Sequence, residues 1–331
     1  MPKFSDIIGQ ESIKEHIKTA IRIGKVSHAY IFSGEAGSGK GFIARTYAEA
    51  LLCDDLSEDY ESCGVCPSCV KVLSGNHPDL ITVTHEKPNI ISVDEIRAQV
   101  VNDVDIKPYY GGKKIYIIPD AHKMTPQAQN ALLKTLEEPP EYIVIMLLAD
   151  NESMLLNTIA SRCINLKLRP IEDRKITDYL MKEMKIPDYQ AGLCVAFARG
   201  NIGKARNLAA SEDFDKLREQ IVNVLKYIHQ MDVSNLLDAI NELSEQKMNA
   251  DDLLDIMIVW YRDVLMYKTV ADDASLVFKD RIRDIRNLAA ESTYEGIEEI
   301  LKSIDKTKAR LKANVSFELA IELLLMKIKE N

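Results

Sequence analysis

The sequence predicts an α/β domain built on a parallel sheet, followed by a chain that is helical to its end, and three observations carry the prediction. Short, almost wholly apolar strands alternate with helical patterns from Ala29 to Ala149, the alternation that places helices on the faces of parallel strands. The first strand, Ala29 to Phe32, runs into a glycine-rich turn with Gly34, Gly37 and Gly39 and then a helix opened by Lys40. Beyond Arg169-Pro170 the strand pattern stops, and apolar residues recur at helical spacing.

In chain order, residues 4 to 23 put Ile13, Ile17, Ala20 and Ile21 at helical spacing, with Asp6 to Gln10 as a lead-in turn. After the glycine turn, Phe42 to Leu52 continues as a helix with Ala44, Ala48 and Leu51 as its packing face. A strand spans Asp79 to Thr84, and Ser92-Val-Asp-Glu95 has the capping-box spacing that opens a helix through Val100 or Val101. Lys107 to Lys114 is a loop containing Pro108 and Gly111-Gly112, and it leads into a strand from Lys114 to Ile118 apolar enough to be covered on both faces. Thr125 caps a helix whose first position is Pro126 and which Pro139-Pro140 stops; Tyr142 to Ala149 is the next strand. Residues 171 to 208 read as short helices around Gly200-Asn201, and from about 212 helices run to the end. Trp260 and Tyr261 fall in the most apolar of these, and core packing is the expected role for them, ahead of a ligand site. The expected division is 1–168, 169–210 and 211–331.

The glycine turn carries chemistry. Gly34 to Lys40 satisfies G-x-x-x-x-G-K, with Ser38 and Gly39 before the lysine. In a strand, loop, helix context such glycines let backbone N–H groups converge on phosphate oxygens, and the lysine adds a point charge. The residue after Lys40 is Gly41, so the hydroxyl that ligates Mg²⁺ in that motif is missing. The expectation is a nucleotide fold that has lost part of its catalytic equipment, with ATP or ADP binding open and not required.

Cys53, Cys63, Cys66 and Cys69 form C-x9-C-x2-C-x2-C, four of the chain's six cysteines. Four thiolates at that spacing suit a closed tetrahedral structural Zn²⁺ site, which leaves no position for chemistry. Two disulfides are the alternative, disfavoured in a reducing compartment. Cys163 and Cys194 read as small apolar packing residues. No run of about 18 apolar residues exists and MPKFSDIIGQ lacks a signal-peptide core, so the expectation is a cytoplasmic chain with no membrane partner. With 42 basic and 51 acidic residues, net −9, bulk charge argues against a chain that grips nucleic acid on its own.

Several motifs together resemble the AAA+ subunits of bacterial clamp loaders: the phosphate loop, the four-cysteine insertion, HPD at His77 to Asp79, QNALLKTLEEPP at Gln129 to Pro140, SRC at Ser161 to Cys163, and ANVSFELAIELLL at Ala313 to Leu325. The resemblance spans the chain. It implies an AAA+ P-loop sheet domain with the cysteine insertion at 53–69, a small helical lid domain, and an all-α carboxyl-terminal collar that oligomerises. Within the family the delta-prime type is nearer than the ATP-hydrolysing gamma/tau type. In the hydrolysing members a Ser or Thr follows the loop lysine, an Asp-Glu pair follows the central strand, and a lid arginine touches the nucleotide; here those positions read as Gly41, Pro119-Asp120 and Gly203.

The resemblance further implies a non-hydrolysing subunit of the DNA polymerase III clamp loader that lends Arg162 as an arginine finger to a neighbouring ATPase subunit. Its partners would be the gamma/tau and delta subunits, with primed DNA and the sliding clamp in the complex. The isolated chain is then expected to lack ATPase and polymerase activity. From position alone Arg162 reads as a surface or ion-paired arginine, and only the flanking match raises the finger above that. His77 and His122 read as structural hydrogen-bonding residues, and Lys204 and Arg206 as a solvated helix face. Two competing functions are an active gamma-type ATPase, against which Gly41, Pro119 and Gly203 count, and a stand-alone zinc-ribbon nucleic-acid binder, against which the net charge counts.

Overall fold

Helix α1 (Glu11–Arg22) buries Ile13, Ile17 and Ala20 and leads into β1 (Ala29–Ser33), every residue of which is buried. The computed structural model describes residues 2–110, 112–245, 250–313 and 315–331. Gly111 of the expected 107–114 loop and Asn314 of the ANVSFELAIELLL stretch lie outside the described residues. Helix α2 (Lys40–Leu52) follows the glycine turn, and α3 (Pro67–Leu73) lies in the cysteine insertion, capped by Cys66 with Pro67 at its first position. Next come β2 (Leu80–Thr82), shorter than the expected 79–84 strand, and α4 (Val93–Ile96), which widens into a π turn over Arg97–Val101. The Ser92–Glu95 capping box is present in both directions. The remaining elements of the sheet domain are β3 (Lys114–Ile118), α5 (Pro126–Glu137), β4 (Ile143–Ala149), α6 (Asn157–Ala160) and β5 (Ile164–Lys167).

The sheet is parallel throughout, in the order β2-β3-β4-β1-β5. Successive side chains alternate between its faces. Tyr30, Phe32, Met146 and Leu148 enter one core with Ile17, Ile43 and Tyr47, while Ile31, Ile145 and Leu147 enter the other with Leu132 and Leu136. Each large side chain fully buried there stabilises the fold by about 1.5–3 kcal/mol. Ligands in open α/β sheets collect beyond the carboxyl ends of the strands, and the glycine turn after β1 sits at that end.

The chain divides into two compact units, one of Met1–Ile176 with Gly200–Gly203 and the other of Thr177–Arg199 with Lys204–Asn331. The first holds the α/β sheet and the four-cysteine group. The second is helical: it contains most of α7 (Asp173–Glu183), all of α8 (Asp188–Ala198), the greater part of α9 (Ile202–Ala209), then α10 (Glu212–Tyr227), α11 (Val233–Glu245), α12 (Ala250–Val270), α13 (Ile282–Glu291), α14 (Tyr294–Lys312) and α15 (Phe317–Glu330). Helix α12 is its centre, packed against α8, α10, α13 and α14, while α15 packs on α14 and α11. Trp260 and Tyr261 on α12 are buried, with Trp260 edge-on to Phe278 at 5.4 Å, so both are core residues. Asp255 on the same helix accepts ion pairs from Arg199, Lys204 and Lys308, which ties α9 and the end of α8 to α12 and α14. None of the described helices is long and apolar enough to cross a membrane.

Candidate functional site

The turn after β1 folds as a phosphate loop because its glycines permit it. Gly37 and Gly39 have φ of 82° and 94°, where an L side chain is strained. Gly34 is tightly packed: a Cβ there would lie 3.0 Å from Ser38 Oγ and 3.1 Å from Leu168 Cβ, so a neighbour would have to give way by a few tenths of an ångström. Ser38 is part of the turn, its N–H donating to Glu35 O at 3.0 Å, and its Oγ is buried with no hydrogen-bond partner among the described residues.

The lysine is spent inside the chain. Lys40 Nζ donates to Gly34 O at 2.8 Å and to Glu35 O at 3.2 Å, and pairs with Asp150 Oδ1. An ammonium has three protons, so these three acceptors saturate it. Asp150 follows β4 directly, and His122 stands on its other side, accepting from Asp150 N at 3.3 Å. Asp150 is a residue of the cradle that the sequence did not single out; the one available signal is an acid immediately after a wholly buried strand. The cavity here, about 350 Å³, is lined by Gly37, Lys40, Gly41, Pro119, Asp120 and Asp150 among others, so two carboxylates face one already paired cation.

Asp120 adopts a left-handed backbone with φ 49° and turns its carboxylate to Lys123 at 2.9 Å. Burial works against its charge, but the Lys123 hydrogen bond and charge outweigh it, and the carboxyl titrates below the ordinary value. Gly41 lacks the hydroxyl, although space exists: a Cβ there would meet only Leu148 Cδ1 at 3.9 Å. Gly203 is different. Its N–H donates to Gly37 O at 2.9 Å, and a Cβ would lie 2.5 Å from that same oxygen and 2.8 Å from Gly37 Cα. Asn201 Nδ2 donates to Ala36 O at 2.8 Å. Residues 201 and 203 thus lace the phosphate loop shut through its own carbonyls, leaving no room for a side chain at 203.

Arg162 lies elsewhere. It precedes β5, whose Ile164 pairs with Tyr30 near the amino end of β1, while Leu168, just past β5, donates to Ser33 O beside the phosphate loop. A strand of that length spans roughly 13 Å, so Arg162 stands at the amino end of the sheet and the cradle at the carboxyl end. Its guanidinium is partly exposed and held by its own neighbours: Nη2 on Glu137 Oε1 at 2.8 Å, Nη1 on Thr158 O at 2.8 Å and on Ser161 Oγ at 3.3 Å. No spacing or motif marks Glu137, at the end of α5, as the partner.

The four cysteines expected to act together do meet. Cys53, Cys63, Cys66 and Cys69 are free thiols whose sulfurs all lie within 4.8 Å of one another. A ZnS₄ tetrahedron with Zn–S near 2.3 Å has edges of about 3.8 Å; Cys63 and Cys69 are 3.9 Å apart. Backbone N–H groups of Cys63, Cys66 and Cys69 point at the sulfurs of Cys53, Cys63 and Cys66 at 3.3, 3.3 and 3.4 Å. Hydrogen bonds of this kind, from Val65 and Cys66, bring the Cys63 thiol down to about 7, whereas burial pushes Cys53 and Cys69 up. The group can hold a metal ion. Cys194 is buried and Cys163 packs against the core, both with thiols raised by burial, as fits small apolar residues.

His77 is buried, and burial lowers its titration; Nε2 pairs with Ser68 Oγ at 2.8 Å and Nδ1 accepts from Asp79 N at 3.1 Å. It is a brace. Lys204 belongs to the Asp255 cluster.

Comparison with known proteins shows the family. A family model described as DNA polymerase III, delta subunit, matches residues 9–172, and one described as the C-terminal part of the delta subunit matches 212–330. The delta' subunit of DNA polymerase III from Bacillus subtilis is 29% identical over 325 residues, 97% of this chain and 96% of that protein. The tau subunit of the same organism is 29% identical over 345 residues, covering 96% of this chain; the chain spans 61% of tau's length. Among solved structures, a gamma-subunit-related protein of DNA polymerase III from Thermotoga maritima is 19% identical, covers 97% of this chain and 98% of its own, and has a TM-score of 0.49.

Proposed function

We propose a function from one premise: the chain belongs to the DNA polymerase III delta-subunit family. It acts as a delta-prime-type, non-hydrolysing subunit of the cytoplasmic clamp loader, assembled with gamma/tau and delta subunits to place the sliding clamp on primed DNA. Arg162 reaches into the nucleotide site of a neighbouring ATPase subunit. The observation that carries this reading is the separation of the two charges: Arg162 is at the opposite end of β5 from the chain's own cradle, too far to serve it, and accessible to another subunit. A guanidinium supplied in trans stabilises the charge that develops on a transferring phosphoryl group. Glu137 is an exchangeable partner, since exposed ion pairs contribute only about 0–1 kcal/mol.

Zn²⁺ is the metal of the cysteine group, held by Cys53, Cys63, Cys66 and Cys69, and its role is to stabilise the 53–69 insertion. A nucleotide in the degenerate loop of Gly34, Gly37, Ser38, Gly39 and Lys40 is admissible only when Lys40 leaves Asp150, and the function does not require it. Residues 169–210 act as the lid and 211–331 as the collar. The exposed Leu319, Leu323 and Met326 of α15, spaced along one helical face, suit a helix that packs against other subunits.

The test is ATP turnover. The chain alone should show none, while a reconstituted, DNA-stimulated complex carrying Arg162→Ala should lose on the order of 10³-fold or more at the site that the arginine completes. Unchanged turnover in that complex would refute the role of Arg162. Brisk turnover by the isolated chain would favour an active gamma-type ATPase, the reading that the intact Gly34–Lys40 spacing supports.

A further inference from the structure

The loop before β3 carries two aromatic rings that neither the cradle nor Arg162 uses. Tyr109 is 79% exposed and Tyr110 44% exposed. Rings left in water are ordinarily on loose segments, yet these are fixed. Both backbone N–H groups donate to the buried carboxylate of Asp79, Tyr109 to Oδ1 at 2.7 Å and Tyr110 to Oδ2 at 3.0 Å. Asp79 is in turn joined through His77 to Ser68 of α3. The HPD turn therefore locks the loop to the cysteine insertion.

A cation lies against one of the rings. Lys71 Nζ sits 4.3 Å from the centre of the Tyr110 ring, whose other neighbours are Tyr109 at 5.2 Å and the His77 ring at 5.4 Å. Lys107 is exposed, and Lys113 is held by Glu141 O at 2.8 Å. From Ile106 to Lys113 the chain has no acid; Asp105 precedes the segment, and Asp103 is paired with Lys114. Fixed, exposed rings with one lysine against them and two more lysines in the same acid-free segment suit the π-faces and phosphates of a single-stranded nucleic acid. A protein partner fits less well, because lysine is depleted in protein–protein interfaces.

We infer that the Tyr109–Tyr110 loop is a stacking platform for single-stranded nucleic acid, with Lys71 as the cation against it and Lys107 and Lys113 as the charges that flank it in sequence. Asp79 preorganises the platform, so stacking does not have to order the loop first. The −9 net charge of the chain keeps non-specific binding elsewhere low, which makes the surface measurable.

Fluorescence anisotropy of a labelled, mixed-sequence single-stranded oligonucleotide of about 20 nucleotides, titrated with the full chain at low salt, tests this. Wild type should bind, the double variant Tyr109→Ala/Tyr110→Ala should bind about tenfold or more weakly, and Tyr109→Phe/Tyr110→Phe should bind as wild type, since stacking needs the ring and not the hydroxyl. Both tyrosines are surface residues, and circular dichroism checks that the variants fold. No binding by wild type, equal binding by the alanine variant, or a phenylalanine variant as weak as the alanine one would each overturn the proposal. So would an alanine variant that keeps the oligonucleotide but no longer assembles with other subunits, which would make the loop a protein-docking surface.

Discussion

The phosphate cradle and the Arg162 edge each hold one conspicuous cation, and the chain treats the two in opposite ways. Lys40 is enclosed, with all three protons taken by Gly34 O, Glu35 O and Asp150, and the loop above it is laced to Asn201 and Gly203. Arg162 is set on the surface at the far end of the sheet, paired with Glu137 and anchored on Thr158 O. A charge satisfied inside has little left to offer a ligand, whereas a charge parked beside an exposed carboxylate can change partners cheaply. The difference is what the proposed role of Arg162 rests on: its guanidinium is the freer of the two cations.

The largest break in that comparison comes from Gly203→Ala. Its Cβ would fall within 2.5 Å of Gly37 O, so the loop or α9 must shift, at a cost of about 1–3 kcal/mol. A urea midpoint should record that loss, while Arg162→Ala should leave the midpoint nearly unchanged. Equal effects would mean that the lacing is not holding the loop. Next in size, Asp150→Asn releases Lys40 from its charged partner, and calorimetry should show affinity for ADP or ATP rising about tenfold; no change would show that Lys40 is not what closes the cradle.

Glu137→Ala sharpens the other side. Losing the carboxylate that orients Arg162 should lower kcat of the reconstituted complex roughly two- to fivefold with little effect on KM, far less than losing the arginine. An effect as large as Arg162→Ala would make Glu137 more than an orienting partner. The smallest effect is on pH. Asp120's carboxyl is held below its ordinary value by Lys123, so its contribution is complete above the unfolded value and is lost as pH falls through the lower folded one. Lys123→Ala should therefore lower stability slightly at neutral pH and flatten the acid limb of the profile, with the most acid region, where Asp120 is protonated folded or unfolded, unaffected.

Much of this was legible beforehand because the deciding chemistry is local. Gly37 and Gly39 announce a backbone that only glycine adopts freely, Ser92 and Glu95 cap each other within one turn, and four cysteines within 53–69 name their own ligand set. The cradle's closure was not legible. Lys40 and Asp150 are 110 positions apart and meet only because β1 is inserted between β4 and β5, an order that periodicity does not encode. Glu137 and Arg162 likewise come together through the end of α5 and the start of β5. Strand β5 itself escaped notice: INLK is a four-residue edge strand with only Leu166 buried, so it shows little of the apolar signal that marks β3 and β4. The position of Gly203 was read as a missing arginine; the structure adds that the glycine is there because Gly37 leaves no space for anything larger.

The most direct measurement is a structure of the assembled clamp loader containing this chain, with Mg²⁺ and a non-hydrolysable ATP analogue. The account predicts that the Arg162 guanidinium has left Glu137 for a phosphate oxygen in the adjacent subunit, while Lys40 remains on Asp150. A Mg²⁺-nucleotide held in this chain's own cradle, with Arg162 still paired to Glu137 and facing no neighbour, would contradict it.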